Sequence, residues 1–350
     1  MQRFYNACKN NKGILVFTAI FMVVSMCLTA IISAKVNYDN NVLAMGGYFI
    51  RLLIRCIACV ALFIITVFYG KKLIYKYPLA LVLIGIFINI VCDNIGYINV
   101  FGYGLEIQPL SYVIGLLGLS VCFVKYAVKT SPGALMYVAV LLGISYINST
   151  SLMTITAFAF SLFLFSYAVR KRLFKNKLTV LLNAISIIML GFSSFDYIIN
   201  GIVGYFNNYY ETGYMAYISR EVLKTVVPFG GMDSITVSGE VANYKLLWIF
   251  DCFGWIIGVT VAVMLTIFVA LLVIKNICKI KSEEQPFLMV MPIMLVIRYI
   301  ISMLTNFGIV LYGISAPIPI LSDGLCGYAV VAILMGLIIG SCEEKRYEIK

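Results

Sequence analysis

An all-α polytopic membrane protein is what this sequence predicts, and three observations carry the prediction. Of 350 residues, 62% are hydrophobic and 12% charged, with a mean hydropathy of +1.01. A soluble domain carries roughly twice that share of charge. The apolar residues fall in long runs, and a helix that crosses a bilayer needs about 20 of them. Lys and Arg crowd into alternate connectors between those runs, the distribution that the positive-inside rule describes.

Taken in order, the runs give ten candidate spans: 13–33, 45–70, 77–98, 109–128, 133–148, 152–169, 178–199, 245–274, 287–312 and 323–341. The first is long enough to cross and no clean cleavage site follows it, so it reads as a helix and not as a removed leader. The fifth is short. The eighth is long enough to tilt strongly or to begin above the membrane surface.

Charge placement tests that count. With a cytoplasmic N-terminus, the inner segments hold Arg3, Lys9 and Lys12; Lys71, Lys72 and Lys76; Lys125 and Lys129; Arg170, Lys171, Arg172, Lys175 and Lys177; Lys275, Lys279 and Lys281; and Lys345, Arg346 and Lys350. The outer segments hold Lys35, Arg220, Lys224 and Lys245. Moving one span would scramble this alternation. The expectation is therefore about ten transmembrane helices in a single domain, residues 1–350, with both termini cytoplasmic. The net charge of +11 belongs to the cytoplasmic leaflet. Membrane lipids, and not nucleic acid, are the partners it implies.

Composition also limits the chemistry. The chain has no histidine, which removes the commonest general base, metal ligand and pH switch. Acid–base work falls to carboxylates, Lys, Tyr or Cys. Cys56 and Cys59 form a C-x-x-C inside an apolar run with no second pair, so they read as small buried helix residues. No zinc-ligand spacing is present.

One polar interruption stands out. Residues 200–244 carry Glu211, Arg220, Glu221, Lys224, Asp233 and Glu240 between the seventh and eighth spans. So long a connector is usually functional, and the charge alternation puts it outside. Within the spans, Arg51 and Arg55 are four apart and share a helix face. They either snorkel to the outer headgroups or hold an anionic headgroup in a polar cavity. Asp251 lies several residues into the eighth span and needs a partner there, for which Arg298 is a candidate. Gly254 and Gly258 form a G-x-x-x-G that permits close helix contact.

The C-terminal stretch reads Asn306-Phe-Gly-Ile-Val-Leu-Tyr-Gly, then Ala316-Pro-Ile-Pro-Ile-Leu-Ser-Asp-Gly324, then an apolar helix. It resembles the terminal signature N-I-G-M-V and G-I-P-L-P-F-I-S-Y-G-G-S of the SEDS family (shape, elongation, division and sporulation; the RodA, FtsW and SpoVE proteins). Asn306, Pro319, Ser322 and Gly324 fall on matching positions, and Leu325 replaces the second glycine of the pair. Ile107-Gln108-Pro109 matches the start of the family's Q-P-S-E. Asn243-Tyr-Lys-Leu-Leu-Trp-Ile-Phe-Asp-Cys-Phe-Gly254 aligns with D-F-I-F-A-V-I-x-E-E-L-G, placing Asp251 on the first glutamate. The departures are specific. Ser111 stands at the glutamate of Q-P-S-E and Ile114 at the lysine after it. Ile98 and Asn99 stand near the family's R-W, Ser151 at the aspartate of P-D-L-G-T, and Asn243 at the outer-loop aspartate proposed as catalytic.

The resemblance implies polymerisation of lipid-linked peptidoglycan precursor outside a bacterial cytoplasmic membrane. A sugar hydroxyl of one lipid II attacks the anomeric carbon of another, and undecaprenyl diphosphate leaves. That reaction needs a carboxylate to take the proton, cations to hold the diphosphate, and an apolar groove for the prenyl chains. Asn243 cannot accept the proton, so Glu240 or Asp233 is the candidate base. Arg51, Arg55, Arg220 and Lys224 are the candidate cations, with Gln108 and Ser322 also at the substrate. Pro109, Asp251, Gly254, Asn306, Pro319 and Gly324 are structural. No cofactor is required; a divalent metal ion is the one candidate helper for the diphosphate. Two other functions stay open: a non-catalytic subunit that keeps the fold, and a lipid-precursor transporter. A single-span transpeptidase is the partner that the family implies.

Overall fold

The computed structural model describes residues 12–37, 42–95, 98–100, 103–105, 108–147, 152–207, 214–230, 244–279, 287–309 and 325–341. Those residues are helical except for short turns and one small hairpin. The helices are α1 (Lys12–Asn37), α2 (Val42–Ile65), α3 (Lys71–Lys76), α4 (Pro78–Ile95), α5 (Gln108–Cys122), α6 (Ser131–Ile147), α7 (Leu152–Arg170) and α8 (Lys177–Asn207). They continue as α9 (Tyr214–Thr225), α10 (Lys245–Phe253), α11 (Trp255–Lys279), α12 (Phe287–Asn306) and α13 (Leu325–Ser341). Strands β1 (Ile98–Val100) and β2 (Tyr103–Leu105) pair antiparallel, with Asn99 opposite Gly104.

Four of the described helical stretches are long and apolar enough to cross a membrane: Leu53–Lys76, Leu110–Ala127, Lys177–Phe195 and Trp255–Ile274. Shorter apolar helices occupy Leu15–Val24, Pro78–Ile88, Ser131–Ile144, Ile155–Arg170, Ile293–Asn306 and Tyr328–Gly340. Each expected span thus contains an apolar helix. In lipid every backbone polar group must be satisfied within the element, which is why such runs become helices. Local signals set the ends. Pro78 opens α4 and closes α3 at the residue before it. Thr130 accepts the Gly133 N–H at 3.2 Å and caps α6.

Burial is inverted relative to a soluble protein. Phe192 (69% exposed) and Phe87 (65%) point outward, while Ser111, Ser120, Ser161 and Asn183 are completely buried. An apolar shell around a partly polar interior is what a lipid solvent selects. Interior hydroxyls and amides bond to carbonyls of their own helix, as Ser120 does to Leu117, and others cross between helices. Tyr137 and Ser161 share a hydrogen bond of 3.2 Å between α6 and α7. Asn183 of α8 donates to the Ala127 carbonyl at 3.3 Å, near the end of α5.

α5 is the central post, with Val113, Leu116 and Leu119 fully buried. It packs against α4, α12 and α13. Contact with α4 is backbone to backbone: a Cβ on Gly85 would lie 2.7 Å from the Gly115 Cα. Two one-turn π segments, Thr66–Gly70 and Phe123–Ala127, extend α2 and α5.

Three expectations about boundaries change. α8 runs on to Asn207, past the expected end at 199. The polar interruption contains the helix α9. The eighth span is two helices, because Gly254 separates α10 from α11.

Candidate functional site

Gly254 has φ 86° and ψ 176°, a conformation essentially reserved for glycine. It ends α10 after nine residues and re-aims the chain into α11. A helix broken within a membrane domain frees backbone groups that must find new partners. Here they find the segment that follows α9. The Trp255 N–H donates to the Val227 carbonyl at 3.0 Å, and the Ile256 N–H to the Pro228 carbonyl at 3.3 Å. In return the Gly230 N–H donates to the Phe253 carbonyl at 3.2 Å. Val227–Gly230 is thus a strap across the break. A Cβ on Gly254 would lie 2.6 Å from the Pro228 oxygen and 2.7 Å from the Val227 oxygen. The two glycines of the G-x-x-x-G make room for different neighbours. Gly254 makes room for the strap, and Gly258 makes room for the Phe250 ring of α10.

The other end of α10 is held by Asn306. Its Oδ1 accepts the Leu247 N–H at 2.9 Å, and its Nδ2 donates to the Ser302 carbonyl at 2.8 Å. This is a helix cap supplied from another helix: an N–H of the first turn has no partner within its own helix. Phe250 completes the clasp, edge-on to Trp255 at 5.0 Å and to Phe307 at 6.0 Å between ring centroids.

Beneath Asn306 runs a polar stripe. Arg298, Ser302 and Asn306 repeat every four residues on one face of α12, and all are buried. α12 packs against α5, α7 and α10. Ser111 on α5 and Thr156 on α7 are buried as well. Lys245, the first residue of α10, is 1% exposed. A buried charge is costly unless its neighbours compensate it, so Lys245 and Arg298 each need polar neighbours on the helices packed around them.

The sequence candidates distribute as follows. Asn306 and the stretch ending at Gly254, two separate parts of the family resemblance, are joined by the Asn306–Leu247 hydrogen bond. Asp251 is half-buried on α10. Arg220 and Lys224 lie on the exposed side of α9, and Lys224 pairs with Glu221 at 2.7 Å. Gln108 and Pro109 open α5. Arg55 is half-buried on α2, and of Arg51 the structure describes the helix position alone. Asp233, Glu240, Asn243, Pro319, Ser322 and Gly324 lie outside the described residues. Among the described residues no three His, Cys, Asp or Glu gather as a metal site.

Sequence reasoning missed two participants. Lys245 reads as one more outer-segment charge, yet it is buried; its signal is that it begins an apolar run where the family stretch has isoleucine. The strap Val227–Gly230 carries its signal in Pro228 and Gly230, turn residues just after an amphipathic helix.

No family model matches the chain, and no curated protein matches it. Among solved structures it is similar to a chain from "Structural coordination of polymerization and crosslinking by a peptidoglycan synthase complex". The TM-score is 0.64 at 13% sequence identity, over 96% of this chain and 98% of that one. At that identity the likeness is one of fold, and it extends over nearly the full length of both chains.

Proposed function

We propose that this chain is a divergent SEDS-like protein of the bacterial cytoplasmic membrane that polymerises glycan from lipid II or another polyprenyl-linked precursor. The observation that carries the reading is the full-length likeness of fold to a chain of a peptidoglycan synthase complex. The meeting of two resemblance motifs at Asn306 and α10 supports it.

In this reading the frame built by α9, α10 and α12 faces the outside. Asp233 or Glu240 takes the proton of the attacking hydroxyl, because Asn243 has no basic oxygen at neutral pH. Arg220 and Lys224 meet the diphosphate as negative charge develops on the leaving group. A single-span transpeptidase would crosslink the product. The test is glycan-chain formation by the purified protein from labelled lipid II, with and without such a partner. Polymer that forms with wild type and is lost with Glu240→Gln or Asp233→Asn supports the reading.

A second reading, a non-catalytic subunit with the same fold, is favoured by one observation. Ser111, at the position of the family glutamate, is wholly buried, and a hydroxyl there supplies no carboxylate. Absence of polymer under every pairing would select this reading.

A further inference from the structure

The turns that join α5 to α6 and α7 to α8 are locked into one plate. The Lys175 N–H donates to the Val128 carbonyl at 3.3 Å, and Asn183 of α8 donates to the adjacent Ala127 carbonyl. Phe174 anchors the second turn, its ring centroid 6.3 Å from that of Phe123 and 5.5 Å from that of Phe165. Around this joint Lys129, Lys171, Arg172, Lys175 and Lys177 are exposed. Lys125 serves the fold instead: its Nζ donates to the Tyr75 carbonyl at 2.6 Å, at the end of α3.

The elements of the plate carry no balancing carboxylate, because the sequence has no Asp or Glu between Glu106 and Asp196. Helix starts add to the positive charge. α6 and α8 both begin here, and neither has an acidic residue in its first turn, where a helix start favours one. By the charge alternation this face is the inner one. The glutamates of the inner segments, Glu283, Glu284, Glu343, Glu344 and Glu348, are far outnumbered by the Lys and Arg residues there. The compensating anion must come from outside the chain.

One backbone angle singles out Arg172. α7 ends in a Schellman motif, with the Leu173 N–H on the Ala168 carbonyl at 2.9 Å and the Arg172 N–H on the Val169 carbonyl at 3.1 Å. The left-handed position of that motif is normally glycine. Here it is Arg172, with φ 53°, the one non-glycine residue at positive φ among the described residues. Glycine would make this turn with less strain, so the turn itself gives no reason for an arginine.

The surroundings identify the anion. Lys177–Phe195 is one of the stretches long and apolar enough to cross a membrane, so Lys177 stands at the edge of the hydrocarbon core. Leu178 and Leu181 are exposed directly beneath it, Leu181 on the same helix face. Val169 and Leu135 are exposed near the same ends of α7 and α6. Cations set immediately above an apolar shelf match a phospholipid, headgroup over acyl chains; an acidic peptide would match the cations alone.

We infer that the plate of Lys129, Arg172, Lys175 and Lys177 binds the headgroup of an anionic phospholipid of the inner leaflet, whose acyl chains lie along α8. The inference does not rest on the glycan-polymerising reading; a chain with no polymerase activity would bind the lipid equally.

The test uses the full-length protein in phosphatidylcholine nanodiscs with a minor share of phosphatidylglycerol. Lipids retained after mild detergent extraction are counted by native mass spectrometry. Wild type should retain phosphatidylglycerol well above its share in the disc. Arg172→Gly should lower that enrichment by roughly fivefold, the effect of one basic side chain near an anionic surface. In phosphatidylcholine alone the same variant should resist heating at least as well as the parent, because glycine suits the turn. Arg172→Lys should keep most of the enrichment. Lys72→Gln, an exposed position of α3 on the same membrane face, should leave it unchanged. If Arg172→Gly keeps the enrichment, or Lys72→Gln loses as much, only the general charge of the inner face is at work and the inference is overturned. Reduced heat resistance of Arg172→Gly also overturns it, since the arginine then holds the turn. Displacement of phosphatidylglycerol by a polyglutamate peptide added in equimolar amount would make the plate a protein-docking surface and overturns it as well.

Discussion

Replacing Gly254 with alanine should destabilise this protein strongly. Two costs combine. At φ 86° and ψ 176° an L-residue is strained by about 1–3 kcal/mol. The new Cβ also meets backbone, 2.6 Å from the Pro228 oxygen and 2.8 Å from the Pro228 carbonyl carbon, and backbone cannot swing aside as a side chain can. The strap must retreat, and with it go the hydrogen bonds of Trp255 to Val227, Ile256 to Pro228 and Gly230 to Phe253. Each is worth about 1 kcal/mol when exchanged for other partners. The total is about 4–6 kcal/mol, or roughly 8–24 °C at 2–4 °C per kcal/mol. The assay is the fraction of monodisperse protein left after heating in detergent, read by size exclusion. Gly143→Ala is the control: a Cβ on Gly143, within helix α6, would meet nothing within 4 Å, so its loss should be well under half as large. A Gly254→Ala protein as heat-resistant as the parent would refute the strap and the broken helix together.

Further outcomes follow from the same frame. Asn306→Leu removes the cap and leaves the Leu247 N–H buried without its acceptor; the expected loss in the same heating assay is about 1–3 kcal/mol. If that variant matches the parent, Asn306 does not hold α10. Cysteine-accessibility labelling should place residue 224 outside and residue 172 inside, and finding both on one side would overturn the ten-span topology. Asp251 is half-buried, so Asp251→Asn should insert normally while Asp251→Arg should lower membrane yield. Normal yield of the arginine variant would show that the position faces water or headgroups.

How much of this was legible beforehand depends on the interaction concerned. The helical, lipid-embedded architecture was readable because runs of about 20 apolar residues have one outcome in a bilayer. The break at Gly254 was not. The stretch from Lys245 to Ile274 is apolar without pause, and a glycine in such a run is as compatible with close packing as with a turn. Only the carbonyls of Val227 and Pro228, distant in sequence, decide between them. The burial of Lys245 was hidden for the same reason: a lysine at the edge of an apolar run normally reaches water, and here the fold closes over it. Asn306 drew notice through resemblance, but its work as a cap for α10 depends on a partner 59 positions away. Arg51 and Arg55 were visible as charges in an apolar span.

The measurement that bears most directly on the proposed function is glycan-chain formation from labelled lipid II by purified wild type, Asp233→Asn and Glu240→Gln, each with and without a single-span transpeptidase. The expected result is polymer with wild type and a loss of about 100- to 10,000-fold in one of the two variants, the usual cost of removing a positioned general base. Robust polymer from wild type that neither substitution diminishes would contradict both base assignments. No polymer from wild type under any pairing would contradict the polymerase itself.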